Sequence, residues 1–392
     1  MKHFLLNTTG KSLFAAGLFC LLIGPAWPAG TDYAMPMKKA ASSLLLDIAA
    51  VGDRLVAVGE RGHILYSDDG GESWVQTRVP TSAMLTRVFF ISDKLGWAVG
   101  HDGNILVSRD GGVNWELQRE GISAQAQLNE VRAGKAKARV EALSQQLQTA
   151  PGEDAPALSE ALQEATHDLE RARETLDAPV YAPPLMDIWF ANPEQGWASG
   201  AYGTLLRTQN GGRQWDDWSR KVDNPDELHL NGVIGDPDGN LYLASEWGTV
   251  FRSLTQGESW EPLETGYDGS FFGVVASPAS GSVFAYGLLG TVYRSTDQGE
   301  SWEPLTSGAR ASLFGALATA QGALLFVGQG STAVLSRDDG DSFTPLVQPS
   351  RAGFYGIAER GDGRYVVAGD GGSRVLAAPD ATAAIANGGR QP

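Results

Sequence analysis

The octapeptide SDDGGESW at residues 67–74 decides the fold, because its pattern Ser/Thr-x-Asp-x-Gly-x-x-Trp recurs along the chain. Its polar side chains can bond turn amides, its glycines allow positive φ, and its tryptophan can pack back onto a sheet. Each copy therefore predicts a hairpin between two strands. We call each copy a box, and the others are residues 108–115, 208–215, 253–260, 295–302 and 336–343.

The spacing of the boxes predicts the architecture. Their closing aromatic residues lie 41 to 45 residues apart, except for one gap of 100. Four short strands in about 42 residues is typical of one propeller blade. A last unit, from residue 354, shows three strands and no box, so we expect residues 32–40 to supply its fourth strand and close the ring. The chain is therefore predicted to be an all-β, seven-bladed β-propeller with an inserted antiparallel α-helical hairpin.

One apolar position recurs seven times, three residues before an apolar residue of each first strand. This regularity supports seven blades, and packing between neighbouring blades explains it better than a ligand site does. The seven residues are Leu45, Leu85, Leu185, Leu230, Phe271, Leu313 and Phe354.

The insertion falls between the second and third blades, at residues 123–182. Its first half is rich in strong helix formers, and apolar residues in both halves recur at spacings of three and four, for example Val140 and Leu143, or Leu162 and Ala165. Two such seams joined by a short loop predict an antiparallel coiled coil. The arm serves as a spacer or partner-binding element, or it is a neutral elaboration of a loop.

The N-terminus is typical of a signal peptide, with Lys2 and Lys11 before an apolar run of about 11 residues, which is too short to span a bilayer. An uncleaved anchor is the alternative. The predicted divisions are 1–29 signal peptide, 30–122 blades 1–2 with the closing strand, 123–182 helical hairpin, 183–378 blades 3–7 and 379–392 disordered tail. We therefore expect an exported protein, in the periplasm or an equivalent lumen.

Composition excludes several kinds of function. Cleavage at 29 would remove two lysines and take the formal net charge from −16 to −18, which disfavours nucleic acid and unaided binding to anionic lipid. It would also remove Cys20, the only cysteine. The histidines that remain do not have the spacing in the sequence that metal-binding histidines have. We therefore predict no metal, no cofactor, no catalytic residue, and no membrane insertion after cleavage.

Two features favour partner binding. The turns between second and third strands are mostly polar or glycine, but blades 3, 4 and 5 carry Tyr202, Trp247 and the pair Leu288 and Leu289. We expect these turns to share a face with the arm, as a docking patch, although packing under the arm or incidental exposure would also explain them. In the same blades an arginine directly precedes each box. These arginines either form a stripe that binds a partner or make salt bridges to neighbouring acidic boxes; they are Arg207, Arg252 and Arg294.

The boxes, together with GWAVG at residues 96–100 and GWASG at 196–200, make the chain similar to the photosystem II stability/assembly factor family of BNR (Asp-box) repeat propellers. The resemblance implies a non-enzymatic helper that binds a membrane-protein complex from the lumenal or periplasmic side, with an arginine-rich strip that the three arginines match loosely. Similar propellers are suspected of serving RND-type exporters. We therefore expect a scaffold that docks on an envelope membrane-protein complex or another envelope protein.

Sialidases share the box repeats, so glycan hydrolysis or glycan binding is the alternative function. The arginine motif usual in sialidases, Phe/Tyr-Arg-Ile/Leu-Pro, is absent near the first blade, and the nearest match is residues 251–253.

Overall fold

The computed structural model describes residues 32–150 and 152–376. It contains seven antiparallel sheets, six of four strands and one of three, and each sheet takes its strands in chain order. The seven-bladed propeller predicted from the boxes is therefore confirmed. The predicted signal peptide and C-terminal tail lie outside the described residues. Within these residues, no helix combines the length and apolar character needed to cross a membrane.

The strands of the blades have the following bounds. Blade 1 comprises Leu45–Val51, Arg54–Gly59, Ile64–Ser67 and Val75–Gln76; blade 2 comprises Leu85–Phe90, Gly96–Gly100, Ile105–Ser108 and Glu116–Arg119. Blade 3 comprises Leu185–Phe190, Gly196–Gly200, Leu205–Thr208 and Asp216–Asp217; blade 4 comprises Gly232–Gly235, Leu241–Ala244, Thr249–Ser253 and Glu261–Glu264. Blade 5 comprises Phe271–Ala276, Val283–Gly287, Val292–Ser295 and Glu303–Pro304; blade 6 comprises Leu313–Ala318, Leu324–Gly328, Ala333–Ser336 and Thr344–Pro345; blade 7 comprises Phe354–Glu359, Tyr365–Gly369 and Gly372–Val375.

The core lies between the blades rather than at one centre. The seven aligned apolar residues, from Leu45 to Phe354, are all exposed by 2% or less, which is the inter-blade packing that their spacing predicts. The second strand of blade 2 is buried along its whole length, because a second strand is covered by neighbouring sheets on both faces.

The boxes form one repeated hydrogen-bond pattern. In blade 1 the Ser67 hydroxyl accepts from the Gly71 amide at 2.7 Å, and Asp69 accepts from the Ser73 amide at 2.9 Å. Blades 3 and 4, which lack the aspartate, keep the second bond: Asn210 accepts from the Gln214 amide at 2.9 Å and Thr255 from the Ser259 amide at 3.0 Å. The departures from the box pattern therefore remove a charge while the turn is kept.

The insertion folds into the predicted hairpin, with α1 at Gly121–Thr149 and α2 at Ala155–Asp177. Ala133 of α1 and Ala165 and Leu169 of α2 are buried, and Arg139 of α1 pairs with Asp168 of α2 at 3.3 Å. Leu176, which the spacing also places in the seam, is exposed.

The ring does not close as expected, because residues 32–40 form no strand on blade 7. Instead, this segment follows the outer edge of blade 1, where the Ala34 amide donates to the Val79 carbonyl at 3.0 Å and the Met37 amide donates to the Gln76 side chain at 2.8 Å. Its backbone groups are thus already engaged, and a proline at position 36 removes one donor. Blade 7 closes the ring by packing apolar side chains of its first two strands on blade 1.

Candidate functional site

The turns between second and third strands and the connections between blades lie at the same end of the sheets, because every blade is an antiparallel meander. We call this end the turn face. The arm rises from it: the Gly121 amide donates to Asn104 Oδ1 at 3.1 Å, and Arg119 donates to the Gly103 carbonyl at 2.5 Å. The arm therefore stands beside the corresponding turn of blade 2.

The apolar turn residues predicted from the sequence are exposed on the turn face. Trp247 has 70% of its surface open to solvent, Leu289 has 69% and Tyr202 has 54%, whereas Leu288 is exposed by 36%. We call these four residues the docking face. Packing under the arm does not account for Trp247 and Leu289, since most of both side chains remains in solvent.

A continuous set of contacts joins the arm to blades 3, 4 and 5. The ring of Tyr181, just beyond the arm, lies 6.2 Å from the ring of Tyr202, which lies 5.0 Å from the His229 imidazole. His229 Nδ1 is 3.0 Å from Glu246 Oε2, beside Trp247 in sequence. Further round, the Tyr267 hydroxyl donates to the carbonyl of Leu288 at 3.2 Å. The docking face is therefore one connected surface.

Three of these residues occupy a left-handed backbone conformation. Tyr202, Trp247 and Leu289 have φ of 55°, 53° and 57°. The same left-handed position holds a polar residue in blades 1 and 2 and glycine in blades 6 and 7; these residues are Arg61, Asp102, Gly330 and Gly371. Bulky L-residues disfavour this region, at a cost of about 1–2 kcal/mol. Glycine would make the same turn without strain, so turn geometry alone does not explain the apolar side chains.

The three arginines of the predicted stripe are buried in salt bridges between blades, which is the alternative that the sequence left open. Arg207 pairs with Glu258 of the next box at 2.7 Å, Arg252 with Glu300 at 2.8 Å, and Arg294 with Asp341 at 2.8 Å. Their side chains are exposed by only 5%, 6% and 15%. Since their guanidinium groups are already paired, we do not include them in the docking face.

A groove of about 1010 Å³ separates the base of α1 from blade 3. Leu128 and Val131 of the arm line one side, and Tyr202 and Trp215 of the blade line the other. Arg132 joins the two sides through an ion pair with Asp217 at 2.8 Å. Tyr202 thus belongs both to the groove and to the docking face.

Sequence reasoning missed an ion triad at the centre of the ring, formed by two buried aspartates and a partly exposed arginine. Arg87 Nε lies 3.0 Å from an oxygen of Asp187 and 3.5 Å from an oxygen of Asp47. A signal was available, because the position two residues after the aligned apolar one carries these charges in blades 1, 2 and 3 but glycine in the others. The glycines are Gly232, Gly273, Gly315 and Gly356.

The two aspartates are held by backbone amides as well as by the guanidinium. Asp47 accepts from the Val88 amide and Asp187 from the Val233 amide, both at 2.9 Å. Burial raises the pKa of both carboxyl groups, since one Arg87 cannot compensate the desolvation of two. Burial also raises the pKa of the neighbouring Tyr286 to about 12. The triad thus joins blades 1 to 4 through polar contacts.

The architecture defines the protein as an Asp-box β-propeller with a helical arm. The chain belongs to the family described as Photosynthesis system II assembly factor YCF48, whose family model matches residues 166–378. This agrees with the resemblance drawn from the boxes. Within the described part of the chain, no group of three or more His, Cys, Asp or Glu side chains could hold a metal ion.

One curated relative is the Photosystem II assembly lipoprotein Ycf48 of Synechococcus sp. (strain CC9902), 30% identical over 91 residues. The match covers 23% of this chain, which spans only about a quarter (26%) of that relative's length.

Solved structures share the fold at low identity. "YCF48 bound to D1 peptide" superposes with a TM-score of 0.59 at 15% identity, covering 89% of this chain and 100% of that one. "YCF48 from Cyanidioschyzon merolae" gives a TM-score of 0.56 at 17% identity, covering 88% and 98%. A streptogramin B lyase reaches a TM-score of 0.58 at 12% identity, covering 86% and 94%. These likenesses show the fold, which hosts different activities.

Proposed function

We propose that this chain is an exported, non-catalytic scaffold that binds a protein partner through the docking face, as an assembly or accessory factor of an envelope membrane-protein complex. One observation carries the proposal: three large apolar side chains are kept exposed at strained turn positions where blades 1 and 2 use polar residues and blades 6 and 7 use glycine. Exposed aromatic clusters of this kind are typical of interface hot spots.

The family supports a role in assembly, and one structural neighbour is YCF48 bound to D1 peptide. By analogy, the partner of this chain would be a membrane protein that the propeller meets from the periplasmic or lumenal side. A photosystem protein is one candidate and an RND-type transporter is another. The docking face would make the contact, and the arm beside it would extend the same surface.

The alternative of glycan hydrolysis finds less support at the centre of the ring. Asp47 and Asp187 are the carboxylates in the position where a propeller glycosidase would act, but Arg87 and backbone amides already engage them. We therefore expect no turnover of sialosides or polysaccharides, and turnover lost in Asp187→Asn would contradict the scaffold proposal.

Site-specific photo-crosslinking in the native envelope tests the docking face. A photoreactive amino acid at position 247 should crosslink to a membrane protein, and the same residue at position 254 should not. Leu254 is a matched control, because it is an exposed apolar residue of the same blade but lies in the box, at the opposite end of the sheet. Equal crosslinking from both positions, or none from 247, would show that the docking face is wrong.

The variant Trp247→Gly gives a second test that separates binding from stability. Glycine relieves the strained φ, so the thermal midpoint should stay within about 3 °C of the wild type or rise, while recovery of the crosslinked partner should fall. Arg61→Gly at the same turn of blade 1 should leave recovery unchanged. A Trp247→Gly protein that keeps full recovery would refute the proposal.

A further inference from the structure

The loops around the docking face carry an excess of negative charge. They are residues 201–204, 218–231, 245–248, 264–270 and 288–291, which belong to blades 3, 4 and 5. Their basic residues are Arg220 and Lys221, and their acidic residues are Asp223, Asp226, Glu227, Glu246, Glu264 and Asp268. All of these except Glu246 are exposed.

The five exposed carboxylates have no ion-pair partner among the described residues, whereas Glu246 faces His229. At the opposite end of the same blades, Arg207, Arg252 and Arg294 pair with exposed acids of the boxes. These three arginines therefore contribute no positive charge to the turn face, which keeps more acidic than basic residues.

We propose that the docking face accepts a segment of a partner protein that is both apolar and positively charged. The inference rests on the proposed function and specifies the chemistry of the partner. Trp247, Leu289 and Tyr202 would receive the apolar side chains, and the surrounding carboxylates would attract and orient lysines or arginines. Opposite charges within a Debye length of about 8 Å raise the association rate and discriminate against acidic partners.

The nearest cations do not reverse this sign. Arg220 and Lys221 begin the loop after blade 3, where Lys221 lies over the ring of Trp218 at 5.5 Å, and Arg310 lies in the next connection, after blade 5. On the arm side, Arg132 is paired with Asp217. An acidic segment or an anionic lipid headgroup would therefore meet a surface with more carboxylates than cations, and the net charge of −16 adds to the repulsion.

A peptide selection tests the chemistry directly. A displayed library of random dodecapeptides is selected on the wild-type protein and counter-selected on Trp247→Gly. We expect the surviving peptides to combine large apolar residues with more Lys and Arg than Asp and Glu. Their affinity, measured by fluorescence anisotropy, should fall about tenfold for the double variant Glu264→Lys/Asp268→Lys and should fall with added salt.

The matched control is Asp53→Lys/Asp93→Lys, which changes the net charge equally but at exposed turns of the opposite end. Affinity for this variant should stay within about twofold of the wild type. Two outcomes would overturn this inference without contradicting the docking face. The peptides could depend on Trp247 but carry no more Lys and Arg than Asp and Glu, or their affinity could be unchanged by the charge reversal at 264 and 268. A selection that yields no Trp247-dependent peptide would overturn the inference, while the crosslinking experiment decides the proposed function independently.

Discussion

At the scale of single residues, the docking face combines two unfavourable features. Trp247 is mostly exposed and has a φ of 53°, and Leu289 repeats both properties in the next blade. Exposed apolar surface and left-handed backbone each cost free energy, and glycine at the same position would avoid both. Stability therefore gives no reason for these side chains, whereas contact with a partner does.

The boxes show how hydrogen bonds to one carboxylate make the stability of the folded protein depend on pH. Hydrogen bonds from the Ser342 hydroxyl and amide, and from Ser336, lower the pKa of Asp338 below its usual 3.8. A carboxyl group with a lowered pKa in the folded state stabilises it above about pH 4, and this contribution is lost as pH falls through the folded-state pKa. The same bonds lower the pKa of Asp69 and Asp297 in their boxes.

We therefore predict that Asp338→Asn reduces the pH dependence of stability. Asparagine can still accept from the Ser342 amide, as Asn210 does in blade 3. Urea unfolding should show a constant difference from the wild type between about pH 5 and 7, and a shrinking difference below about pH 4. The reverse change, Asn210→Asp, should add acid sensitivity. Parallel stability curves for wild type and Asp338→Asn would contradict this account.

At the scale of elements, the arm is stabilised mainly by itself. Its buried apolar residues are Ala133, Ala165 and Leu169, which lie along the helical seam, and Arg139 adds ion pairs between the helices. Its contacts with the propeller include the Gly121 amide with Asn104 and the ion pair of Arg132 with Asp217, both near the base of α1. An isolated hairpin of this kind is a semi-independent unit, which suits a surface that extends the docking face.

Replacing residues 123–178 by a short flexible linker should leave the propeller folded. The ion pair that would be lost, between Arg132 and Asp217, is partly exposed and contributes about 0–1 kcal/mol. The thermal midpoint by circular dichroism should therefore change by less than about 5 °C, although crosslinking from position 247 should weaken. A fall of more than 10 °C would show that the propeller depends on the arm.

At the scale of the whole molecule, the ring is closed by side chains rather than by a shared strand. Apolar residues of blade 7, such as Val366, pack against blade 1, including Leu55. The triad of Asp47, Arg87 and Asp187 adds polar contacts across blades 1 to 4. Hydrophobic packing alone allows neighbouring blades to shift relative to each other. The hydrogen bonds and ion pairs of the triad have a defined geometry, so they help to fix the relative positions of the first blades.

Arg87→Met should destabilise the ring by about 3 kcal/mol at pH 7, because two buried carboxylates would face each other without a cation. Their pKa values are already raised, so protonation should relieve the repulsion, and the loss should be smaller at pH 5. Urea unfolding measures both values. Arg213→Met, at an exposed pair with Glu194, should cost less than about 1 kcal/mol. A pH-independent loss in Arg87→Met would refute this role.

The candidate site was predictable in part. Exposure of Trp247 and Leu289 followed from their place in turns that other blades fill with polar residues or glycine. For Arg252 the sequence left a partner contact and a salt bridge open, and the structure shows ion pairs with Glu261 of its own blade at 2.6 Å and with Glu300 of the next blade, 48 residues away. The triad left a signal at the aligned positions of Asp47, Arg87 and Asp187, but only the packing of separate blades brings these charges together.

The amino-acid sequence alone determined the number of blades, the box hairpins and the helical arm, because each of these depends on local periodicity and turn chemistry repeated along the chain. Only the tertiary structure decided which charges are neutralised, how the ring closes without the expected strand, and that the turn face keeps its negative charge. Those outcomes depend on which side chains meet across neighbouring blades. Aligned positions mark some of these charges in the sequence, but they do not show which charges pair or how deeply each is buried.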